Sequence, residues 1–372
     1  MSKKIRAIGA LVLTLVWAAL IALAWFSPAK QFSQSERREL FQFPDTSGKT
    51  ILSGKFMTDF EKYTLDQFPG RDTFRSIKAM FHSYGLLQQD NNDIYLADGY
   101  LAKQDYPLAE NELTAATNRI SKIYETYFKE SGSRVFCAVI PDKGYYLSDQ
   151  SGHLAMDYDK LFSHMETALP FATHIDLTDT LNIENYYYTD THWRQETLFP
   201  TAAAICKALD MPAPEKADFT ATEATEEFYG VYHGQAALPL APETLYLMES
   251  ERVKQMQVSI HNGVRFTPME YTGVYDLEKL TGKEPYDVFL SGPQSILRIE
   301  NPNASTDKEL IIFRDSFGSS IAPLLVSEYK TVTLVDTRYL NSQMLGRFLE
   351  FNGQDVLFMY STLVLNTGSM IK

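Results

Sequence analysis

The sequence predicts an α/β protein whose mostly parallel sheet is flanked by helices and preceded by one membrane-spanning helix. Two patterns support this prediction. Short apolar runs typical of buried strands alternate with helical segments both before residue 211 and after residue 305. An uncharged apolar segment of 20 residues lies at positions 7–26. With 372 residues, 45% of them hydrophobic, the chain has enough apolar material for a sizeable core.

The apolar segment at 7–26 is long enough to cross a bilayer. A helix of this length covers roughly 30 Å, the thickness of the hydrocarbon core. Lys3, Lys4 and Arg6 precede it, so the positive-inside rule places residues 1–6 in the cytoplasm and the rest outside. A cleaved signal peptide with a small-residue site at 22–24 is the alternative. Because the segment exceeds a typical signal core, we expect an uncleaved single-pass anchor in the cell membrane.

The remainder of the chain divides by composition. Residues 27–60 are polar and predict a stalk that leads away from the membrane. Residues 61–372 predict one extracytoplasmic domain. Within it, residues 211–305 are rich in Tyr, Thr, Gly and Pro and contain strand-like pieces. We interpret them as a β-rich insertion and not as an independent domain.

The α/β elements follow in a regular order. Residues 93–103 predict a hairpin that turns at Asp98-Gly99, and the helices are expected at 110–129, 197–210 and 321–329. The predicted strands of the sheet lie at 134–141, 174–179, 309–313, 331–336 and 355–360. In an open, mostly parallel sheet, ligands bind at the carboxyl ends of the strands.

Charge and cysteine content exclude some functions. The formal net charge of −13 and the lack of a basic tail argue against nucleic acid as a partner. The two cysteines, Cys137 and Cys206, lie in a strand-like and a helix-like run, which favours buried unpaired thiols over a disulfide. The sequence contains no CxxC, HExxH or His/Cys cluster. We therefore expect neither a metal site nor a cofactor.

Two separated segments contain the residue types of a nucleophilic site. YYYTDTHW at 186–193 places Asp190 two residues before His192, and FRDSFGSS at 313–320 presents Ser316 in a Ser/Gly-rich turn after a predicted strand. A carboxylate, an imidazole and a hydroxyl are the three parts of a Ser-His-Asp acyl-transfer site. Asp190 would orient His192, and His192 would take the proton of Ser316. This combination predicts chemistry on an ester.

Each of these residues also has a purely structural explanation. Asp315 and Ser316 are suited to cap the helix that follows them. His192 is compatible with a hydrogen-bonded core position, and Asp190 with a second helix cap. Neither segment alone decides between the two explanations, and their co-occurrence in one chain favours catalysis.

Three further residues are candidates for substrate or oxyanion binding. Gly318 lies in the sharply turned segment after Ser316, where backbone amides can hold an oxyanion. Arg338 and Tyr360 end two predicted strands and are expected at the same sheet edge. A surface arginine and a packed tyrosine are the alternative explanations for these last two.

Taken together, the segments resemble the DHHW family, which is named for an Asp-His-His-Trp motif, and the alginate O-acetylation proteins. The resemblance extends over nearly the whole predicted ectodomain. It is based on FPGRD at 68–72, DIYLADGYL at 93–101, IPDK at 140–143, YYYTDTHW at 186–193, YDVFLSGPQS at 286–295, DSFGSSIAPLL at 315–325 and VDTRYL at 335–340. Thr191 replaces the first His of the motif, and related acetylation proteins need only Asp-x-His-Trp.

The resemblance implies a circularly permuted SGNH-hydrolase-like domain, in which the Asp/His block precedes the serine block. It assigns catalytic roles to Asp190, His192 and Ser316. It further implies an O-acetyltransferase or acetylesterase that acts on a cell-surface or exported polysaccharide. A polytopic membrane-bound O-acyltransferase is the implied partner that passes acetyl groups across the bilayer. The alternative is a non-catalytic polysaccharide-binding or scaffolding protein with the same fold.

Overall fold

The structure is a computed structural model that describes residues 3–33, 35–326 and 329–372. The chain forms two compact units. The N-terminal unit comprises residues 1–91 and 233–239, and the sheet unit comprises residues 92–232 and 240–372.

The N-terminal unit is mainly helical. Its first helix is α1 (Lys3–Phe26), and within it Lys4–Phe26 is long and apolar enough to cross a membrane by length and composition. The other elements are α2 (Gly48–Leu52), α3 (Lys55–Asp66), α4 (Arg71–Met80), a π-helical turn at Phe81–Gly85, and the short antiparallel strands β1 (Phe32–Ser33) and β2 (Arg38–Glu39).

An ion-pair cluster holds this unit together near α3 and α4. The guanidinium of Arg38 donates to both oxygens of Asp66 at 2.8 and 2.6 Å. Arg71 contacts Glu36 at 2.5 Å and Asp66 at 3.5 Å. Because of the Arg38 hydrogen bond, the pKa of Asp66 lies below its usual range.

The sheet unit contains an eight-stranded sheet and two hairpins. The strands of the sheet unit are β3 (Ile94–Ala97), β4 (Tyr100–Lys103), β5 (Val135–Ile140), β6 (Thr173–Ile175), β7 (Thr220–Phe228), β8 (Glu243–Glu249), β9 (Gln257–His261), β10 (Phe266–Pro268), β11 (Ile296–Glu300), β12 (Glu309–Arg314), β13 (Thr331–Val335) and β14 (Asp355–Ser361). The large sheet has the order β10-β9-β11-β13-β12-β14-β5-β6, and the strands from β13 to β6 in this order are parallel to one another.

Helices connect these strands and cover both faces of the sheet. The helices after α4 are α5 (Glu110–Ile123), α6 (Lys143–Ser151), α7 (Tyr158–Ala168), α8 (Phe199–Ala208), α9 (Val231–Ala236), α10 (Glu251–Gln255), α11 (Phe317–Leu325) and α12 (Thr362–Leu365). Single 3-10 turns lie at Thr178–Thr180, Ile183–Asn185, Gln195–Thr197, Lys216–Asp218, Leu277–Thr281, Pro285–Val288, Ser342–Arg347 and Gly368–Met370, and a π-helical turn at Tyr124–Phe128.

The predicted fold class is confirmed: helices flank a mostly parallel sheet. Alternate residues of β5 point to opposite faces, with Val135 and Cys137 in a core that includes α5 and α7, and Phe136 and Ala138 in a core that includes α8 and α11. This double burial explains why the parallel strands are continuously apolar in sequence. Cys137 and Cys206 are both buried and unpaired.

The strand-like pieces of residues 211–305 are strands in the structure. β9, β10 and β11 extend the large sheet by antiparallel pairing, whereas β7 and β8 form a separate hairpin. The boundaries drawn above for stalk, domain and insertion stay predictions. Some element boundaries differ from the prediction. The strand expected at 174–179 ends at Ile175, and α11 spans Phe317–Leu325 and not 321–329, so that it follows β12 after only two residues.

A buried charge cluster lies where β12 and β13 end. Arg314 and Asp336 have no exposed side-chain surface, and their closest nitrogen and oxygen atoms are 3.8 Å apart. Arg338 donates to both oxygens of Asp336 at 2.9 and 2.7 Å. Asp336 thus neutralises two guanidinium groups, one of which is fully removed from water.

Replacing Asp336 with alanine is expected to destabilise the protein strongly. Asp336→Ala removes the ion-pair partner of the buried Arg314 guanidinium, which costs about 3–5 kcal/mol of the free energy of unfolding. Urea denaturation of the full chain in detergent, followed by circular dichroism, measures this change. Asp307 is the matched control, because its ion pair with Lys330 is exposed. Equal unfolding midpoints for Asp336→Ala and Asp307→Ala would contradict the expectation.

Candidate active site

The loop at 186–193 is closed by its own backbone. Tyr186 and Trp193 form an antiparallel bridge, and the amide of Tyr187 donates to the carbonyl of His192 at 3.1 Å. The hydroxyl of Tyr186 donates to the carbonyl of Pro141, which follows the carboxyl end of β5, at 2.5 Å. These contacts fix the loop at the sheet edge where the α/β fold places its ligand sites.

Ser316 lies between β12 and α11 at the same edge. The preceding carboxylate, Asp315, is 1% exposed and accepts from the amide of Phe317 at 3.0 Å and from the amide of Ser361 at 2.8 Å. Asp315 therefore supplies the acceptor for the first amide of α11 and links the start of this helix to the end of β14. Ser316 occupies the N-cap position of α11, but its side chain makes no capping hydrogen bond.

The side chains of Asp190, His192 and Ser316 form a continuous chain of hydrogen bonds. His192 Nδ1 is 2.5 Å from Asp190 Oδ1, and His192 Nε2 is 2.7 Å from Ser316 Oγ. The two sequence segments thus meet in space, although 124 residues separate His192 from Ser316. With the Nδ1 proton directed at Asp190, Nε2 is an acceptor for the hydroxyl proton of Ser316.

Backbone donors fix the carboxylate of Asp190. Its Oδ1 also accepts from the amide of His192 at 3.0 Å, and its Oδ2 accepts from the amide of Val231 at 2.7 Å. Asp190 is fully buried, so these donors replace the water that an ionised carboxylate would otherwise need.

An aromatic stack fixes the plane of the imidazole. The rings of His192 and Tyr286 lie 3.8 Å apart with an angle of 7° between their planes. The hydroxyl of Tyr286 and the indole of Trp193 each donate to Ser320 Oγ at 2.8 Å. Because burial raises the pKa of Tyr286 well above its ordinary value, this hydroxyl stays a donor at neutral pH. Ser320 thereby connects α11 to Tyr286, which stacks on the imidazole, and to Trp193, the residue after His192.

A buried lysine lies behind the loop. Lys143 begins α6, is 2% exposed, and donates through Nζ to the carbonyls of Tyr187 at 3.0 Å and Tyr188 at 3.3 Å. Burial lowers its pKa to about 7, and the carboxylates of Asp190, Glu243 and Asp142 oppose this shift.

A close backbone contact joins this loop to the segment after β7. The amide of Gly230 donates to Thr189 Oγ1 at 2.9 Å. A Cβ atom at Gly230 would overlap the backbone of Thr189 and of Asp190. Only glycine permits this approach without a backbone shift.

The three secondary candidates have other contacts. The amide of Gly318 donates to the carbonyl of Asp315 at 3.2 Å, so the expected oxyanion donor is already paired. Arg338 is paired with Asp336, and the hydroxyl of Tyr360 is 3.0 Å from Thr337 Oγ1. The geometry therefore gives Gly318, Arg338 and Tyr360 structural contacts, and their role toward a substrate stays a prediction.

Several supporting residues escaped the sequence reasoning. Tyr286 lies in YDVFLSGPQS, a segment that was recognised without a role for its tyrosine. Gly230 and Val231 act through backbone groups, which leave no residue-type pattern except a glycine between two bulky neighbours. The residue types of the segment therefore do not indicate that these two amides support the loop.

Comparisons with known proteins agree with this picture. The sequence model of the DHHW family, described as DHHW protein, matches residues 155–335, which include Asp190, His192 and Ser316. The resemblance to the DHHW family that the motifs indicate is therefore confirmed. No curated protein sequence gives a significant match.

Two solved structures share the fold. A DHHW family protein from Eubacterium siraeum DSM 15702 has a TM-score of 0.62 and 19% identity, covering 76% of this chain and 94% of its own. PatB1 of Bacillus cereus, solved with a sulfonyl adduct, has a TM-score of 0.59 and 20% identity, covering 75% of this chain and 96% of its own.

The stability contribution of Lys143 is expected to depend on pH. Between pH 7 and the ordinary lysine value of 10.5, the unfolded chain binds a proton that the folded chain has released. The free energy of unfolding therefore rises with pH in this range, whereas below pH 7 the folded state retains a costly buried ammonium. Urea denaturation at pH 6.5 and 9.5 is expected to show the wild type gaining stability relative to Lys143→Met as pH rises.

The exposed Lys122→Met substitution controls for the loss of a lysine as such. A difference between wild type and Lys143→Met that does not change with pH would contradict this expectation.

Adding a methyl group at Gly230 is expected to displace the loop. Gly230→Ala forces the backbone of Thr189 and Asp190 to move, and overpacking of this kind costs about 1–3 kcal/mol. The free energy of unfolding measures this cost. Gly346→Ala is the control, because its Cβ would meet only one ring atom of Tyr127, at 3.2 Å. If Gly230→Ala is as stable as Gly346→Ala, the expectation is wrong, because the backbone of Thr189 and Asp190 then accommodates the methyl group at no cost.

Proposed function

We propose that this protein is a membrane-anchored, extracytoplasmic O-acetyltransferase or acetylesterase that acts on a cell-surface or exported polysaccharide. The observation that supports this most directly is the hydrogen-bond chain from Asp190 through His192 to Ser316, at 2.5 and 2.7 Å. Both distances lie within the reach required of a nucleophile and its base.

The reaction would proceed through an acetyl-enzyme. Ser316 Oγ attacks the acetyl carbonyl carbon while its proton passes to His192 Nε2, and the charge on the imidazolium is stabilised by Asp190. The tetrahedral intermediate then collapses, and His192 returns the proton to the leaving oxygen. An acceptor hydroxyl repeats these steps in reverse, so that the acetyl group moves to the acceptor and Ser316 is regenerated.

The choice of acetyl group and polysaccharide follows from the resemblance to the DHHW family and the alginate O-acetylation proteins. Ser316 is half-buried and His192 is 8% exposed, so the nucleophile is reachable while its base is largely shielded from water. Shielding of this kind favours transfer to a bound sugar hydroxyl over hydrolysis.

The predicted membrane anchor determines from which side of the membrane the acetyl group must be supplied. Lys4–Phe26 would hold the domain at the outer face of the membrane, and acetyl-CoA is a cytoplasmic compound. A polytopic membrane-bound O-acyltransferase is therefore the partner that we propose for passing acetyl groups across the bilayer. A non-catalytic scaffold would need no aligned base beside Ser316, and this alignment favours the enzyme.

Ser316 is expected to form covalent adducts that depend on His192. PatB1, which is similar in fold, has been solved with a sulfonyl adduct, so a sulfonyl fluoride is a suitable probe. The full chain in detergent, incubated with the probe or with a chromogenic acetyl ester, should become labelled at Ser316. Ser316→Ala and His192→Ala are expected to lower ester turnover by about 10³-fold or more.

Ser319→Ala is the matched control. Ser319 lies on the same helix, is buried, and its Oγ has no hydrogen-bond partner within the described part of the chain. It should retain wild-type turnover. Absence of a Ser316 adduct, together with equal turnover by Ser316→Ala and Ser319→Ala, would refute the catalytic proposal.

A further inference from the structure

The segment Tyr187-Tyr188-Thr189, which leads into Asp190, is held by ionisable side chains from two directions. Glu243, the first residue of β8, accepts from the amides of Tyr188 at 2.6 Å and Thr189 at 2.7 Å. It also accepts from Thr189 Oγ1 at 2.7 Å. From the other side, Lys143 Nζ donates to the carbonyls of Tyr187 and Tyr188. The peptide planes that join Tyr187 to Tyr188 and Tyr188 to Thr189 are thereby fixed.

These contacts are stronger than the loop needs merely to stay folded. Hydrogen bonds to a carboxylate are roughly twice as strong as neutral ones. A lysine that is 2% exposed is costly to bury, and neutral donors would serve the same carbonyls at lower cost. The carbonyl of Tyr188 in fact already accepts from the amide of Leu101 at 2.7 Å. Glu243 and Lys143 together therefore restrict the loop beyond what its closure requires.

The restriction is transmitted directly to Asp190. Thr189 Oγ1, which donates to Glu243, also accepts from the amide of Gly230, and the next amide, that of Val231, donates to Asp190 Oδ2. One hydrogen-bonded unit therefore links β8, the segment after β7 and the carboxylate. The hydrogen bond between His192 Nε2 and Ser316 Oγ is 2.7 Å long, so a displacement of about 1 Å in this unit would break it.

We propose that Glu243, assisted by Lys143, is a positioning residue that aligns Asp190 and His192 with Ser316 by holding the backbone of residues 187–189. This inference rests on the proposed function. Neither side chain is assigned a contact with the reacting atoms, so their effect is expected on the rate of acyl transfer and not on substrate binding.

The test compares three substitutions in the full chain. Glu243→Gln keeps the size of the side chain but replaces one acceptor oxygen with a donor group, so it cannot accept all three hydrogen bonds. We expect its kcat for a chromogenic acetyl ester, and its rate of sulfonylation at Ser316, to fall about 10- to 100-fold with KM unchanged. Glu243→Asp, which retains the carboxylate, should keep more activity than Glu243→Gln. Glu227→Gln, an exposed glutamate on the same hairpin, should match the wild type.

A second measurement is independent of activity. The proton between His192 Nδ1 and Asp190 Oδ1 is expected to give a low-field resonance in the NMR spectrum of histidine-labelled protein. It should shift or broaden in Glu243→Gln and stay unchanged in Glu227→Gln, while circular dichroism shows both variants folded.

The outcomes separate the two proposals. If Glu243→Gln reacts like Glu227→Gln and retains the low-field resonance, the positioning role is wrong while the catalytic proposal stands. A rate loss that only follows the unfolded fraction, or that appears in KM alone, also overturns it. If the wild type forms no Ser316 adduct, the proposed function fails, and the resonance still decides whether Glu243 aligns Asp190 with His192.

Discussion

The candidate site depends on one contact, the hydrogen bond between His192 Nε2 and Ser316 Oγ at 2.7 Å. It joins a loop to a helix start that lies far along the chain, so each side must be held by its own scaffold. Asp315 fixes the serine side by bonding the amides of Phe317 and Ser361. Val231, through its amide on Asp190, fixes the histidine side. Loosening of either side would break the contact between His192 and Ser316 even if the hydrophobic core stayed intact.

Two polar side chains that are buried beside this contact, those of Asp190 and Tyr286, have specific hydrogen-bond partners. Asp190 is ionisable and fully buried, yet both of its oxygens accept hydrogen bonds. Tyr286 presents its ring to His192 and its hydroxyl to Ser320, so the imidazole has an apolar wall without an unsatisfied donor. Satisfied networks of this kind rigidify a core, because an unpaired buried group is costly and the network has few alternative arrangements. The same arrangement that costs folding energy keeps His192 aligned with Ser316.

The sequence predicted the parts of this architecture that leave local patterns. Apolar runs predicted β5, β12, β13 and β14, and an Asp-x-His packet with a serine after a strand predicted the residues that meet. The supporting contacts were invisible, because Gly230 and Val231 act through amides that every residue type carries. Gly318 shows the opposite case: the sequence indicates its turn chemistry, but it does not show that the amide already donates to the carbonyl of Asp315. The local sequence identifies hydrogen-bond donors and acceptors, whereas only the tertiary structure shows which of them are already paired within the protein.

The start of α11 shows why a capping and a catalytic explanation of Ser316 need not compete. A helix start requires an acceptor for its first amides, and a serine in the N-cap position usually supplies it. Here Asp315 supplies it with Oδ1 and uses Oδ2 to bond the amide of Ser361 on β14. Ser316 is thereby released from capping while remaining in the N-cap position, and its hydroxyl points to His192. An aspartate before the serine thus supplies the cap and leaves the serine hydroxyl available to His192, and it does so where β12 passes directly into α11.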